Sequence, residues 1–171
     1  DGFRQFNDSY VGTLSRWGLL ADKDTNPVAR SNVCPEVNPP GEPGFYAFSY
    51  TVPDEDARES FVVAGSAEVP EVEGASIVAL DDVSPEGLRT KARWVLGEME
   101  NRLRALGFDW TSVTGTQLYT VHDVHPFLEA ELVRRGAMRS GLTWHFTRPP
   151  VLRLEYEMDC RGVSMERVLE A

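Results

Sequence analysis

The stretch that most constrains this chain runs from residue 151 to residue 160. Leu152, Leu154, Tyr156, Met158 and Cys160 alternate there with Val151, Arg153, Glu155, Glu157 and Asp159. A period of two marks a strand with one buried face, because successive side chains leave opposite sides of an extended backbone. Pro149 and Pro150 break the chain just before it, and Leu142, Trp144 and Phe146 alternate ahead of that break. Two closing strands are expected, the first led in by Arg139 and the second carrying Glu155 and Glu157. Charged strand faces usually look at water, so Arg153, Glu155 and Glu157 read first as a solvated, charge-paired face. The competing reading sets a guanidinium across from a carboxylate, which can hold an acidic substrate and present a water to it.

Upstream, Ser84-Pro85-Glu86 places a cap, a proline suited to the first helical position and a first-turn acid in succession. Leu88, Ala92, Val95, Met99, Leu103 and Leu106 then recur at helical intervals until Gly107 stops them. Residues 61–66 read as an apolar strand ending at Gly65-Ser66, where a glycine serves a bulge or a close approach to the backbone. Residues 45–52, aromatic-rich after Pro43-Gly44, read as another strand, and residues 110–121 as a third. The acidic loop at 68–82 carries no assignable chemistry. Pro126 opens a second helix through Phe127, Leu128, Ala130, Leu132 and Val133, which Gly136 ends. Gly162 is expected to end the last strand, and Ser164 to cap a small turn through Leu169.

The resulting order is strand, strand, helix, strand, helix, strand, strand. That is an α+β sandwich, a mixed β-sheet covered on one face by two helices. The face bearing Leu152 meets the helices, and the face bearing Arg153 and Glu155 points away from them. With Trp144 and Phe146 near it, that second face is expected to mediate self-assembly.

Residues 1–44 are punctuated by Asn26-Pro27, Pro39-Pro40-Gly41 and Pro43-Gly44. Phe3, Phe6, Tyr10, Leu14 and Trp17 recur at helical intervals, so this part reads as an arm with aromatic anchors. It would pack on the main domain, residues 45–171, or on a neighbouring subunit. An echo between Ala29-Arg30-Ser31 and Met138-Arg139-Ser140 is too short to be a repeat and reads as chance. The chain opens at Asp1 rather than Met, so its natural start is expected to be processed or to lie upstream.

A length of 171 residues suits one domain with an appendage. The net charge of −10 argues against nucleic acid and anionic membranes as partners, and no apolar run matches a membrane span or a signal peptide. Cys34 and Cys160 match no metal or redox spacing and read as free thiols in a reducing compartment, which points to the cytoplasm. His122 and His125 flank Asp123, but only His145 adds a further imidazole. That spacing is weak for a metal, and none is expected. Asp123 reads as a cap.

Taken together, these segments resemble the RidA/YjgF family of imine and enamine deaminases. Residues 43–49, Pro-Gly-Phe-Tyr-Ala-Phe-Ser, are similar to the family's Gly-Pro-Tyr-Ser entry, and residues 61–67 to its apolar strand ending in Ser-Gly-Gln. Residues 107–113 resemble its Gly-to-Val link, and residues 117–124 its Val-Phe-Val-x-Asp-Leu strand end. Arg139-Ser140 followed by Leu154-Glu155-Tyr156-Glu157 resembles Pro-Ala-Arg-Ser followed by Ile-Glu-Ile-Glu. Ala137-Met138 replaces the usual Pro-Ala, Gly65-Ser66-Ala67 departs from Ser-Gly-Gln, and the second helix is curtailed.

The resemblance implies a chorismate-mutase-like fold and a homotrimer with pockets between subunits. It further implies that Arg139 grips a substrate carboxylate and that Glu155 positions or activates water. Gly65, Ser66 and Gly141 would line the pocket, with Tyr46 at its edge. Such chemistry needs no cofactor. A clamp fixes orientation, and a carboxylate one water away takes a proton as that water attacks the imine carbon. The expected activity is deamination of a small 2-imino or enamino acid, with an aminomuconate-type dicarboxylate among the candidates. In that case Arg148 or Arg153 would receive the second carboxylate. A trimeric binding or regulatory protein of the same fold is one alternative. Another is a hydrolase or isomerase on a different carbonyl acid, with His122 or His145 as acid.

Overall fold

The computed structural model describes residues 2–20, 26–70 and 74–169; the side chain of Phe3 and residues 71–73 of the acidic loop lie outside them. The long helix forms where its caps and stripe place it. Helix α2, Pro85–Ala105, is capped by Ser84, whose Oγ accepts from Gly87 N at 3.1 Å, and Arg102 and Arg104 close its last turn. Leu88, Ala92, Val95, Leu96, Met99 and Leu103 form its buried face. Gly107, at φ +82°, takes the left-handed turn that ends the helix.

That face lies on a four-stranded mixed sheet. Strand β2, Phe61–Ala67, pairs antiparallel with β6, Glu157–Gly162. Strand β6 pairs antiparallel with β3, Gly115–Tyr119, and β3 pairs parallel with β4, Thr143–His145. The spatial order is β2-β6-β3-β4. The second cover on the same face is a one-turn helix α3, His125–Phe127, which widens into a π-helical turn over Leu128–Val133. Phe127 and Leu132 join the core with Leu118, Tyr156, Met158 and Cys160. Glu131 fixes this cover to α2 by accepting from Arg89 Nε at 2.8 Å and Arg93 Nε at 2.7 Å. The expected α+β sandwich is therefore present. Cys160 is buried and Cys34 exposed, both free.

Several boundaries differ from expectation. Residues 45–52 form no strand; Phe45 is 90% and Tyr46 96% exposed. Their pattern fits a strand, but among the described residues no sheet edge pairs with them. Residues 110–114 begin as a 3-10 turn, Trp110–Ser112, because Asp109 caps it by accepting from Thr111 N at 2.7 Å. The last strand starts at Glu157 instead of residue 151. Arg153 turns the chain at φ +73°, and Glu68 accepts from Glu155 N at 2.6 Å and Tyr156 N at 3.1 Å, taking the donors a ladder would use. Leu152, expected in the core, is 89% exposed as a result. Ser164 caps no helix; its Oγ accepts from Arg58 N at 3.0 Å.

The arm lies across the second face of the sheet. Helix α1, Gly2–Arg16, carries Phe6 and Tyr10, stacked 6.2 Å apart, with the Arg30 guanidinium 4.4 Å from the Tyr10 ring centroid. A short strand β1, Cys34–Pro35, pairs antiparallel with β5, Thr147–Arg148. Between them Ser31 Oγ donates to Asp159 Oδ2 at 2.7 Å. The second face is therefore not a solvated surface.

Candidate active site

Register determines which side chains meet. Asp159 lies opposite Gln117 and Glu157 opposite Tyr119, while Tyr119 pairs with His145. All point away from α2, because Met158, Cys160 and Leu118 point toward it. Glu155, Glu157 and Asp159, each two residues apart, thus form a row of carboxyl groups along the second face.

The three acids have different surroundings. Asp159 is saturated: it accepts from Ser31 Oγ, from Tyr119 OH at 2.6 Å and from Gln117 Nε2 at 2.9 Å. His145 Nε2 lies 2.9 Å from Gln117 Oε1, and its ring stacks on Tyr119. Burial, with Asp159 next to it, pushes the Tyr119 hydroxyl far above its ordinary range.

Glu155 Oε2 accepts from Arg148 Nη1 at 2.6 Å and lies 2.7 Å from His122 Nε2. Arg148 also reaches Glu36 of the arm, Nε to Oε2 at 3.0 Å. The Glu155 backbone is pinned on both sides, by Glu68 at its N–H and by Thr120 Oγ1 donating to its carbonyl at 2.7 Å. His122 also borders a shallow depression of about 410 Å³, lined by Val121, His122, Asp123, Trp144 and Phe146.

Glu157, between these two, is only 6% exposed. Burial pushes its carboxyl up to about 8, with Asp159 and Glu68 adding to the rise and Arg102 and Arg30 opposing it. A Cβ on Gly65 would overlap Glu157 Oε1, so the bare glycine is what lets the carboxyl rest against the strand. The register also shifts between Val63 and Ser66, so the bulge and the close approach occur together.

The other expected site residues are scattered. Arg139 is exposed in the turn after Gly136, beside Asp109. Ser140 Oγ donates to Val113 O at 2.7 Å, which ties that turn to the start of β3, whereas Glu155 sits at its end. At about 3.3 Å per residue the two ends of β3 are about 13 Å apart, so one chain does not bring Arg139 and Glu155 together. A hollow of about 490 Å³ near Asp109 holds carboxylates already committed to Trp110, Thr111 and Arg135. Ser66 is buried opposite Met158, Gly141 turns at φ +93° beside open space, and Tyr46 stands in solvent. Arg153 pairs with Asp81 at the surface, away from Glu155. His125 is spent on Asp123, at 2.6 Å, and no group of three metal-binding side chains occurs among the described residues.

Sequence reading missed Arg30, Ser31, Glu68, Tyr119 and the burial of Glu157 and Asp159. The aromatic repeat through Phe6 and Tyr10 signalled a packed arm, but the Ala29-Arg30-Ser31 echo was set aside as chance. Glu157 and Asp159 were visible as a charged face, but nothing local says what covers a face.

The model of a family described as 2-aminomuconate deaminase CnbZ matches residues 1–167, arm included. A 2-amino-5-chloromuconate deaminase of Comamonas testosteroni is 50% identical over 176 residues, covering 98% of this chain and 68% of that protein. Among solved structures, the Rid-family protein YyfB of Yersinia pestis, of unknown function, gives a TM-score of 0.49 at 16% identity, over 64% of this chain and 82% of its own. The YjgF gene product of E. coli gives 0.46 at 16% identity, over 62% and 81%. By the reach of the first match and the identity of the second, this chain belongs to the 2-aminomuconate deaminase CnbZ family.

Proposed function

We propose that this protein is a cofactor-free deaminase of aminomuconate-type dicarboxylates, releasing ammonia and leaving the 2-oxo acid. The observation that carries the reading is the family match through residue 167, which spans the arm and all three carboxyls of the second face. The geometry supports it. Glu155 is fixed by Arg148, Glu68 and Thr120 with His122 against its outer oxygen, beside an open depression. A carboxylate so held can take a proton from a water attacking a C=N carbon. Arg148, partly exposed, is placed to meet a substrate carboxylate.

Arg139 enters such a site only from another copy of the chain. A homotrimer of chorismate-mutase-like subunits, with Gly65, Ser66, Gly141 and Tyr46 near the junctions, is therefore part of the proposal, as is a cytoplasmic location. Sedimentation as a monomer would remove Arg139 from the site.

The test is ammonia release from a freshly generated 2-aminomuconate. Glu155→Gln should lower kcat by about 100-fold or more, as loss of a positioned acid–base group does. A rate equal to wild type would end the role of Glu155. The His122–Glu155 pair also fits hydrolysis or isomerisation of another carbonyl acid. That reading predicts a bell-shaped pH profile with no ammonia formed.

A further inference from the structure

An enamine cannot be hydrolysed directly. Its β-carbon must first gain a proton, which turns C–N into C=N and makes the nitrogen-bearing carbon electrophilic. A site built for water attack alone has no donor for that step. The second face holds a carboxyl suited to it. We propose that Glu157 is the acid that protonates the enamine carbon, while its neighbour Glu155 serves the water. The inference rests on the deaminase reading above.

The geometry assigns the two roles differently. Glu157 and Glu155 lie two residues apart, about 6–7 Å from Cα to Cα for an extended backbone, a distance that one small substrate spans. Glu155 is held by Arg148 at its carboxyl and by Thr120 Oγ1 at its carbonyl, and its partner His122 borders the depression. Glu157 sits behind it among β2, β3 and the arm, against Gly65 and near Ser31 Oγ. Among the described residues no side chain hydrogen-bonds its carboxyl, whereas Asp159 has three and Glu155 two close partners. The charged and titratable groups facing Glu157 are Asp159 on its own strand, Glu68 after β2, Tyr119 on β3, Arg102 on α2 and Arg30 of the arm. The balance keeps the carboxyl protonated at neutral pH, as a carbon acid–base step requires.

The steps balance. The enamine C=C pair takes the Glu157 proton at carbon, and the nitrogen lone pair closes C=N. Water adds to the carbon of that C=N bond, the C=N pair returns to nitrogen, and Glu155 takes a proton from the water. Glu155 passes that proton to nitrogen. The C–N bond breaks with its electron pair leaving as ammonia, C=O forms as the hydroxyl proton passes to water, and Glu157 regains its proton from water.

Two probes separate this role from a structural one. 2-Aminomuconate needs the carbon protonation. 2-Iminoadipate, generated in place from 2-aminoadipate by an amino-acid oxidase, already carries the C=N bond. Glu157→Gln should slow 2-aminomuconate by about 100-fold or more and leave 2-iminoadipate unchanged. The wild-type rate on 2-aminomuconate should fall as pH rises through about 8, a limb that the variant lacks. Equal slowing of both probes, no slowing of either, or persistence of the alkaline limb in Glu157→Gln would overturn the assignment. A wild-type protein releasing ammonia from neither probe would instead end the deaminase reading itself.

Discussion

The two faces of β6 come from alternate residues of one strand, and both are buried. On one, Tyr156, Met158 and Cys160 are at most 1% exposed beneath α2. On the other, Glu157 and Asp159 are 6% and 8% exposed beneath the arm. The first face is closed by contact with apolar neighbours, which costs nothing in desolvated charge. The second holds carboxyl groups out of water, which is tolerable only where each is hydrogen-bonded or neutral. Asp159 takes the first course and Glu157 the second. Alternation of side-chain type therefore reports the chemistry of each face and says nothing of its exposure.

The sharpest way to break the comparison is at the pair that joins the two faces. Lys91 and Glu68 have side chains 0% exposed, with Lys91 Nζ 3.3 Å from Glu68 Oε1 and donating to Val78 O at 3.0 Å. Glu68 in turn grips the backbone of Glu155 and Tyr156. Lys91→Ala strands a buried carboxylate and should cost about 3–5 kcal/mol in urea unfolding. A loss under about 1 kcal/mol would mean that water reaches Glu68.

On the helix side, Met158→Ala should cost about 2–5 kcal/mol through lost burial and the cavity left behind. Below its melting temperature it should keep the kcat of wild type. Glu155→Gln should show the reverse, with kcat lost and denaturant midpoint little changed. If Met158→Ala lowered kcat as much as stability, the two faces would not be separable.

The next effect is smaller and depends on pH. Glu157 is raised from 4.5 to about 8 on folding. Below the lower value both states hold the proton and the contribution is complete. Between the two values only the folded state holds it, so stability falls as pH rises, and above the upper value the contribution is gone. Glu157→Gln abolishes this dependence. Its stability relative to wild type should therefore improve from pH 5 to pH 9 by on the order of 2 kcal/mol, allowing for partial hydration at the rim. Denaturant midpoints at the two pH values measure it, and parallel curves would place the carboxyl in water.

Much of this was legible in the sequence. The stripe and caps of α2 are local, and their residues do what their spacing implies. The alternation at Leu154 to Cys160 sorted the two faces of β6 correctly. The failures share a cause: each needed a partner distant in the chain. Residues 45–52 have a strand's aromatic composition, yet no sheet edge among the described residues pairs with them. Ser31 reaches Asp159 across 128 residues, and no local pattern encodes that contact. Glu155 was legible as a charged residue on a strand, whereas its partners His122 and Arg148 depend on the turn after β3 and on the β1–β5 ladder.

The smallest effect lies where the alternation ended early. Val151 to Arg153 kept the pattern of a strand yet became a turn, with Arg153 at φ +73° and its guanidinium on Asp81 in solvent. Two influences oppose each other there. The left-handed backbone favours glycine, and the exposed ion pair favours arginine, though water and salt screen such pairs. Arg153→Ala loses the pair and keeps the strained backbone, while Arg153→Gly loses the pair and relieves it. The glycine variant should therefore melt at or slightly above the alanine variant, and both should keep wild-type activity because Arg153 faces away from Glu155. The reverse order of melting would show that the exposed pair, rather than the backbone, sets the turn that delays β6 until Glu157.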